Sequence, residues 1–273
     1  MAKLINPKDA DLSFPSAKPY RTQDRKLSWL ARLFPTPHFY RQFLWNVYRS
    51  SRIAKRGHYD GKQWSETSQR VVQSLESVGV RFEIDGVSNI QNLESPCVFV
   101  GNHMSMLETI VLPSIVQPIR DVTFVVKQSL LDYPFFRHIV RARNPIPVSR
   151  QNARDDFKVV MKEGVDYLRR GISVVVFPQT TRSESFDPAE FNSIGVKLAA
   201  RAGVPIIPIA LRSDAWGNGK RLKDFGPIDK TKTVHFDFGP AVKLQGRGEQ
   251  QQQEIIEFIQ DRLRTWGVQP SAV

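Results

Sequence analysis

Short apolar runs alternate with longer amphipathic stretches from about residue 80 onward. Two of the longer stretches, residues 155–171 and 191–203, have apolar residues near helical spacing and end at a glycine. The short runs are rich in β-branched and aromatic residues, which is typical of strands. They are VRFEIDG (80–86), CVFVGN (97–102), VTFVVK (122–127), ISVVVF (172–177), VPIIPIAL (204–211) and TVHFDFG (233–239). This alternation predicts an α/β fold with a central, mostly parallel sheet flanked by helices.

The sequence before residue 80 follows a different pattern. KLSWLARLF (26–34) and HFYRQFLWNVYRSSRIAKR (38–56) place large apolar residues at helical spacing, with basic residues largely on other faces. No run reaches the roughly 18 apolar residues needed to cross a bilayer. We therefore predict a basic, aromatic-rich membrane-anchoring region over residues 1–79, with two amphipathic helices that lie on the surface. The alternative is a helix pair that packs on the protein's own core.

Two further segments complete the predicted organisation. Residues 80–247 form the α/β domain, and residues 248–273 form a C-terminal region in which 249–267 has the pattern of an amphipathic helix.

The charge distribution indicates an anionic partner. The chain carries a net charge of +12, and residues 1–56 alone hold twelve Lys and Arg against three Asp, a net charge of +9. An anionic membrane, a phosphorylated substrate or nucleic acid could each match this charge. Because the basic residues are interleaved with aromatics on helical stripes, and no nucleic-acid motif is present, we expect a phospholipid surface and no nucleic acid.

Cysteine and histidine usage argues against a metal. Cys97 is the one cysteine, so no intrachain disulfide forms, and no Cys/His cluster has zinc-ligand spacing. We therefore expect no metal and no cofactor, and we interpret Cys97 as a small buried residue.

The first candidate for chemistry is a histidine at the end of an apolar run. His103 follows CVFVGN, and Glu108 lies five residues further on. On one continuous helix these side chains would point about 140° apart. Ser105-x-x-Glu108 matches a capping box, which places His103 in the turn before the helix, where it can meet Glu108. The alternatives are that Glu108 only starts a helix and that His103 only ends a strand.

A second polar loop follows the run VVVF at 174–177. Its residues Gln179, Thr180, Thr181 and Arg182 lead into further hydroxyl-bearing residues. An arginine with hydroxyls and backbone N–H groups in a tight loop is a suitable cradle for a phosphate.

These blocks together resemble the lysophosphatidic acid acyltransferase family of glycerolipid acyltransferases. The family has Asn-His-x-Ser-x-x-Asp, a middle block with a lysine and a terminal arginine, Phe-Pro-Glu-Gly-Thr-Arg-Ser, and Val-Pro-Ile-x-Pro. The corresponding blocks are NHMSMLE from residue 102, VKQSLLDYPFFRHIVRARNPIPVSR (126–150), FPQTTRS from residue 177 and VPIIP from residue 204. The order is the same, and the likeness covers about residues 80–245.

The resemblance implies transfer of a fatty acyl group from a thioester, acyl-CoA or acyl carrier protein, to a hydroxyl of a lysophospholipid. His103 would be the general base and Glu108 would orient it. Arg182, with Lys127 and Arg150, would hold the acceptor's phosphate. Backbone N–H groups at the start of the Ser105 helix are candidates for stabilising the carbonyl oxygen.

The chain departs from the family pattern at three positions. Glu108 replaces an Asp, and Gln179 and Thr180 replace Glu and Gly. The loop thereby loses a carboxylate and a residue free to adopt positive φ. We expect loss of that charge to strengthen anion binding. The same departures support an alternative, a catalytically silent or altered-specificity lipid-binding membrane protein of the same fold. In either case we expect a peripheral or monotopic protein on the cytoplasmic face of the membrane.

Overall fold

The structure is a computed structural model that describes residues 18–134, 136–220 and 222–268. The parts of the predicted anchoring region at 1–17 and of the C-terminal region at 269–273 lie outside the described residues. Within the described residues, eight strands form one sheet in the order β1-β2-β8-β7-β3-β6-β4-β5. Only the β1/β2 and β7/β8 pairs in this sheet are antiparallel. The predicted α/β fold with a mostly parallel sheet is confirmed.

The six predicted strands are present, with ends that shift by at most two residues. The short strands β1 and β5 were not predicted, because two or three residues, one of them Pro147, show no alternation. The strands are β1 (Tyr20–Arg21), β2 (Arg81–Asp85), β3 (Val98–Gly101), β4 (Val122–Lys127), β5 (Ile146–Val148), β6 (Ser173–Val176), β7 (Ile206–Arg212) and β8 (Thr233–Phe238).

Helices cover both faces of the sheet. They are α1 (Trp29–Leu33), α2 (Pro35–Lys55), α3 (Gly61–Glu76), α4 (Ser88–Gln91), α5 (Leu107–Val116), α6 (Arg137–Arg141), α7 (Ala153–Arg169), α8 (Ile194–Ala202) and α9 (Glu249–Thr265). Successive residues of β3 point to opposite faces: Phe99 packs into a cluster with residues of α2, α3 and α5, whereas Val98 and Val100 pack with α7, α8 and α9. The buried strand β3 therefore lies between two apolar layers, one on each face of the sheet.

The direction of the strands places several loops together. Strands β7, β3, β6, β4 and β5 are neighbours and all run parallel. Their carboxyl ends therefore meet at one edge of the sheet, the edge at which α/β proteins place their ligands. Every candidate residue named from the sequence lies at the end of one of these strands or in the segment that follows it.

The N-terminal helices divide their apolar residues between two environments. Phe39, Phe43 and Val47 of α2 are buried in the core beside α3, so these three residues do not face a bilayer. Trp45 and Tyr48 of the same helix are 57% and 52% exposed. No helix in the described ranges is long and apolar enough to cross a membrane.

Candidate active site

Asn102 fixes the end of β3 against its neighbour β7. Its side-chain amide donates to the carbonyl of Leu211 and its oxygen accepts from the Leu211 N–H, both at 2.8 Å. The pairing of β3 with β7 ends at Gly101, and the Asn102 side chain adds two further hydrogen bonds between these strands. The chain then turns at His103, which is 6% exposed.

His103 and Glu108 are in direct contact. His103 Nδ1 lies 2.8 Å from Glu108 Oε1, although the residues are five apart. His103 lies before the helix as predicted, but α5 begins at Leu107 with Met106 as N-cap, one residue later than the predicted N-cap Ser105. The Ser105 hydroxyl accepts from the Leu107 N–H, and the Ser105 N–H donates to Glu108 Oε1 at 2.9 Å. The capping interaction and the histidine contact therefore use the same carboxylate.

The Glu108 carboxylate is fully buried and surrounded by donors. In addition to His103, it accepts hydrogen bonds from the Met104 N–H at 2.7 Å, from the Ser105 hydroxyl at 3.1 Å and from the Ser213 hydroxyl. Burial by itself raises the pKa of this carboxyl, but the hydrogen bond from His103, the attraction of that ring when it is protonated, and the bonds from Ser213 and Ser105 outweigh burial and lower it. The carboxylate is therefore ionised.

An ionised Glu108 determines which nitrogen of the imidazole carries the proton. A carboxylate can only accept a hydrogen bond, so Nδ1 of His103 is the donor. When the ring is neutral, its other nitrogen, Nε2, therefore presents a lone pair. No described residue hydrogen-bonds to Nε2. The ring stacks on Phe177, with centroids 4.7 Å apart and planes at 10°, which fixes its orientation. The pair can thus accept a proton at Nε2.

The loop after β6 closes against His103. Gln179 Oε1 accepts the His103 backbone N–H at 2.6 Å, and the Ser183 N–H donates to the His103 carbonyl at 3.0 Å. Gln179 is 3% exposed. Because Arg182 immediately precedes Ser183, the predicted phosphate loop and the histidine turn are held together backbone to backbone.

Arg150 and Arg182 lie at this same edge. Arg150 adopts a left-handed backbone, with φ of 60°, and its Nη1 donates to the Thr180 carbonyl at 2.7 Å. Burial lowers the pKa of Arg150, and the nearby charge of Arg182 lowers it further. The two guanidinium groups are therefore close enough to influence each other, and this pair of positive charges is a candidate site for an anion.

The other predicted residues have more open positions. Lys127, at the end of β4, is exposed and pairs in register with Val148 of β5. Thr180 and Thr181 are exposed, and Thr180 has no positive φ, so the replacement of a glycine there leaves no strained backbone. The loop is therefore compatible with a side chain at 180.

The hydrogen bonds at the start of α5 narrow the expectation that backbone N–H groups there stabilise the carbonyl oxygen. The N–H groups of Met104, Ser105 and Leu107 are already bonded to Glu108 or to the Ser105 hydroxyl. These three groups are not available to a carbonyl oxygen, because the short connection from strand to helix turns them toward the capping side chains, and the prediction is left to the other N–H groups at the start of α5.

Two residues of the site were not found from the sequence. Ser213 directly follows β7, and its place at the carboxyl end of a parallel strand was a usable signal. Asp224 pairs with Arg182, Nη1 to Oδ1, at 2.6 Å. No local pattern marked Asp224.

Fold and site define an α/β enzyme whose histidine, carboxylate and arginines converge at the carboxyl edge of a parallel sheet. Residues 81–212 match the family model described as Acyltransferase. A 1-acyl-sn-glycerol-3-phosphate acyltransferase of Pseudomonas aeruginosa is 31% identical, over 69% of this chain and 68% of that protein. A chloroplastic relative of the same description from Brassica napus is 30% identical over 50% of this chain, which spans only 38% of that protein.

A solved structure has the same fold. It is the 1-acyl-sn-glycerophosphate (LPA) acyltransferase PlsC from Thermotoga maritima, with a TM-score of 0.64 and 19% identity over 89% of this chain and 99% of that chain. The chain belongs to the 1-acyl-sn-glycerol-3-phosphate acyltransferase family, and the enzyme is an O-acyltransferase.

Proposed function

We propose that this protein transfers a fatty acyl group from an acyl thioester, acyl-CoA or acyl carrier protein, to a free hydroxyl of a lysophospholipid such as 1-acylglycerol-3-phosphate. The observation that carries the proposal is the buried His103–Glu108 pair beside Arg182 and Arg150 at one sheet edge. The pair supplies a base, and the arginines supply a site for a phosphate.

His103 is the general base in this proposal. Nε2 takes the proton of the acceptor hydroxyl as the oxygen attacks the thioester carbonyl. The C–S bond then breaks, and the imidazolium returns the proton to the leaving sulfur, which departs as a thiol. Glu108 orients the ring and stabilises the imidazolium that forms. No covalent acyl-enzyme is required, because the acceptor supplies the nucleophile.

Arg182 and Arg150 hold the acceptor's phosphate, and the exposed ammonium of Lys127 adds positive charge at the same edge. Gln179 fixes the loop against His103 without adding a negative charge. The fixed spacing between imidazole and guanidinium would place the acceptor hydroxyl at Nε2, and this positioning is a large part of the catalytic gain.

The activity is tested with the purified chain, labelled acyl-CoA or acyl carrier protein, and a panel of lysophospholipids. We expect labelled diacyl product, with a loss of about 10² to 10⁴ in rate for His103→Ala. His58→Ala, an exposed histidine outside the site, serves as the control. Lipid binding without His103-dependent product would instead support the catalytically silent lipid-binding alternative.

The acceptor role of the arginine is tested separately. Arg182→Ala should raise the KM for lysophosphatidate and leave the KM for the acyl thioester unchanged. An unchanged KM for the acceptor would remove Arg182 from the proposed phosphate site.

We also propose that the exposed face of α1 and α2 contacts the cytoplasmic face of a membrane. Trp29, Leu33, Phe34, Trp45 and Tyr48 are all more than half exposed. The rings of Trp45 and Tyr48 stack at 5.7 Å, and Arg52 lies over Tyr48. Aromatic rings beside basic side chains match the boundary between lipid tails and anionic headgroups.

Sedimentation with lipid vesicles tests this surface. The protein should bind vesicles that contain phosphatidylglycerol more strongly than vesicles of phosphatidylcholine, and Trp45→Ala/Tyr48→Ala should weaken binding to both. Retention on DNA but not on vesicles at moderate salt would contradict the membrane proposal.

A further inference from the structure

We propose that Asp224 is a positioning residue of the acceptor site, which holds the Arg182 guanidinium in the orientation that binds phosphate. This inference rests on the proposed function and adds a residue to it. Asp224 lies outside the residues 81–212 that match the family model.

The contact between the two residues is close and largely shielded from solvent. Arg182 Nη1 lies 2.6 Å from Asp224 Oδ1, and each side chain is 18% exposed. By comparison, the pair Arg264–Asp261 on α9 joins side chains that are 67% and 69% exposed. A shielded ion pair loses less of its attraction to screening by salt and water, and it holds its donor in one geometry. An exposed ion pair contributes little to stability.

Asp224 lies in the connection between β7 and β8, where described residues on either side of it are joined by backbone hydrogen bonds. Backbone bonds join Gly217 to Pro227 at 3.0 Å and Gly219 to Lys223 at 3.2 Å. At Gly226 an added Cβ would lie 1.7 Å from the Gly217 carbonyl oxygen, so the two arms of the segment are in close contact. These contacts hold the backbone on both sides of Asp224.

This segment is attached on one side to the histidine turn. The Asn218 side chain donates to the Met104 carbonyl at 3.2 Å, one residue beyond His103. Near the start of the segment, the Ser213 hydroxyl bonds Glu108. A carboxylate on this segment is thus fixed relative to the catalytic pair.

On the other side the segment is attached to α2. The Tyr40 hydroxyl donates to the Gly226 carbonyl at 2.7 Å and accepts from Trp216 Nε1 at 3.0 Å, and the Ile228 N–H donates to the Thr36 hydroxyl at 3.0 Å. Asp224 therefore connects Arg182 to both the catalytic turn and the helix whose outer face carries the exposed aromatics.

The charges explain why a carboxylate is useful there. Arg150 and Arg182 repel each other, and Gln179 brings no negative charge to the loop. Without a partner, the Arg182 side chain would turn away from Arg150. Asp224 accepts a hydrogen bond from Nη1 of Arg182. The guanidinium has further N–H groups on its other edges, and these can donate to a phosphate.

The test separates the two substrates kinetically. With the purified 273-residue chain, the KM for lysophosphatidate is measured at saturating acyl-CoA, and the KM for acyl-CoA is measured at saturating lysophosphatidate. We expect Asp224→Ala to raise the KM for lysophosphatidate by about tenfold and to leave the KM for acyl-CoA unchanged. Asp224→Asn, which keeps an acceptor oxygen but not the charge, should have a smaller effect, and Asp261→Asn should have none.

A double-mutant cycle tests whether Asp224 acts through Arg182. In an Arg182→Ala background, Asp224→Ala should change the KM for lysophosphatidate by less than about twofold, because the partner that it positions is gone. Thermal denaturation of each variant verifies folding, and Asp224→Asn replaces Asp224→Ala in the cycle if the alanine variant is unfolded.

Three results would overturn the inference. These are an unchanged or lower KM for lysophosphatidate in Asp224→Ala, an equal rise in both KM values, or an undiminished effect in the Arg182→Ala background. Absence of product from the unsubstituted protein would instead contradict the proposed function itself, so the two failures are distinguishable.

Discussion

His103 Nδ1 and Glu108 Oε1 are 2.8 Å apart, and the same carboxylate oxygen accepts the N–H groups of Met104 and Ser105. One buried oxygen thus ends the turn, begins α5 and orients the imidazole. Because one carboxylate has both roles, a change in the charge or shape of residue 108 should affect both folding and turnover. Stability and kcat therefore have to be measured separately.

Glu108→Gln should impair both stability and catalysis. A glutamine keeps the shape, and its oxygen can take the position of Oε1, but the bonds from His103, Met104 and Ser105 then lose their charged acceptor. We therefore expect the free energy of unfolding to fall by about 2–3 kcal/mol. Because the ring loses its ionised partner, kcat should fall by about 10² to 10⁴. Urea denaturation and steady-state kinetics measure the two effects.

Glu76→Gln is the matched control for Glu108→Gln. Glu76 is another buried glutamate, and it accepts from the Tyr20 and Thr22 hydroxyls and from Arg25. It should lose stability without a loss of kcat. Equal losses of kcat in the two variants would indicate that Glu108 acts only through stability.

The lowered pKa of Glu108 predicts a specific dependence of stability on pH. The ordinary carboxyl value is 4.5, and the folded value lies below it. The ionised carboxyl therefore stabilises the fold fully above about pH 5, and this contribution is lost as the pH falls through the folded pKa. The difference in unfolding free energy between the unsubstituted protein and Glu108→Gln should shrink between pH 6 and pH 3. A difference that grows as the pH falls would contradict this assignment.

Gln179 is expected to act through its carbonyl oxygen. In Gln179→Ala the buried N–H of His103 loses its acceptor, at a cost of about 1–3 kcal/mol in stability, with a lower kcat. Gln179→Glu keeps an acceptor oxygen but adds a negative charge near Arg182, so the KM for the phosphorylated acceptor should rise. Denaturation and kinetics of both variants distinguish the two roles, and a lower KM in Gln179→Glu would refute the charge argument.

Cys97 should be unreactive in the folded protein. Cys97 directly precedes β3 and is fully buried, and this burial raises the pKa of its thiol to about 11. At pH 8 only about one thiol in a thousand would be ionised. A thiol reagent such as dithionitrobenzoate should label the protein only after guanidinium is added. Rapid labelling of the native protein would show that the strand is accessible.

The local parts of the site could be predicted from the sequence. His103 and Glu108 are five residues apart, so turn and capping rules alone bring them together. The strands from β2 to β8 were also predictable, except for the three-residue β5, because apolar runs bounded by polar residues are local features.

The division of α2 into buried and exposed apolar residues was not predictable. Phe39 and Tyr48 both belong to the helical pattern of apolar residues in α2, yet Phe39 is in the core and Tyr48 is exposed. Helical spacing shows which residues share a face, but it does not show what that face packs against.

The sequence by itself determined the α/β alternation, the histidine–carboxylate pair and the arginine loop, because each depends on residues that are close together in the chain. Only the tertiary structure decided that Ser213 bonds Glu108 and that Asp224 pairs with Arg182, across 105 and 42 residues respectively. Such contacts depend on strand order and on the folding of whole segments against one another. Periodicity and spacing describe each segment alone, so they contain no information about which distant side chain completes the site.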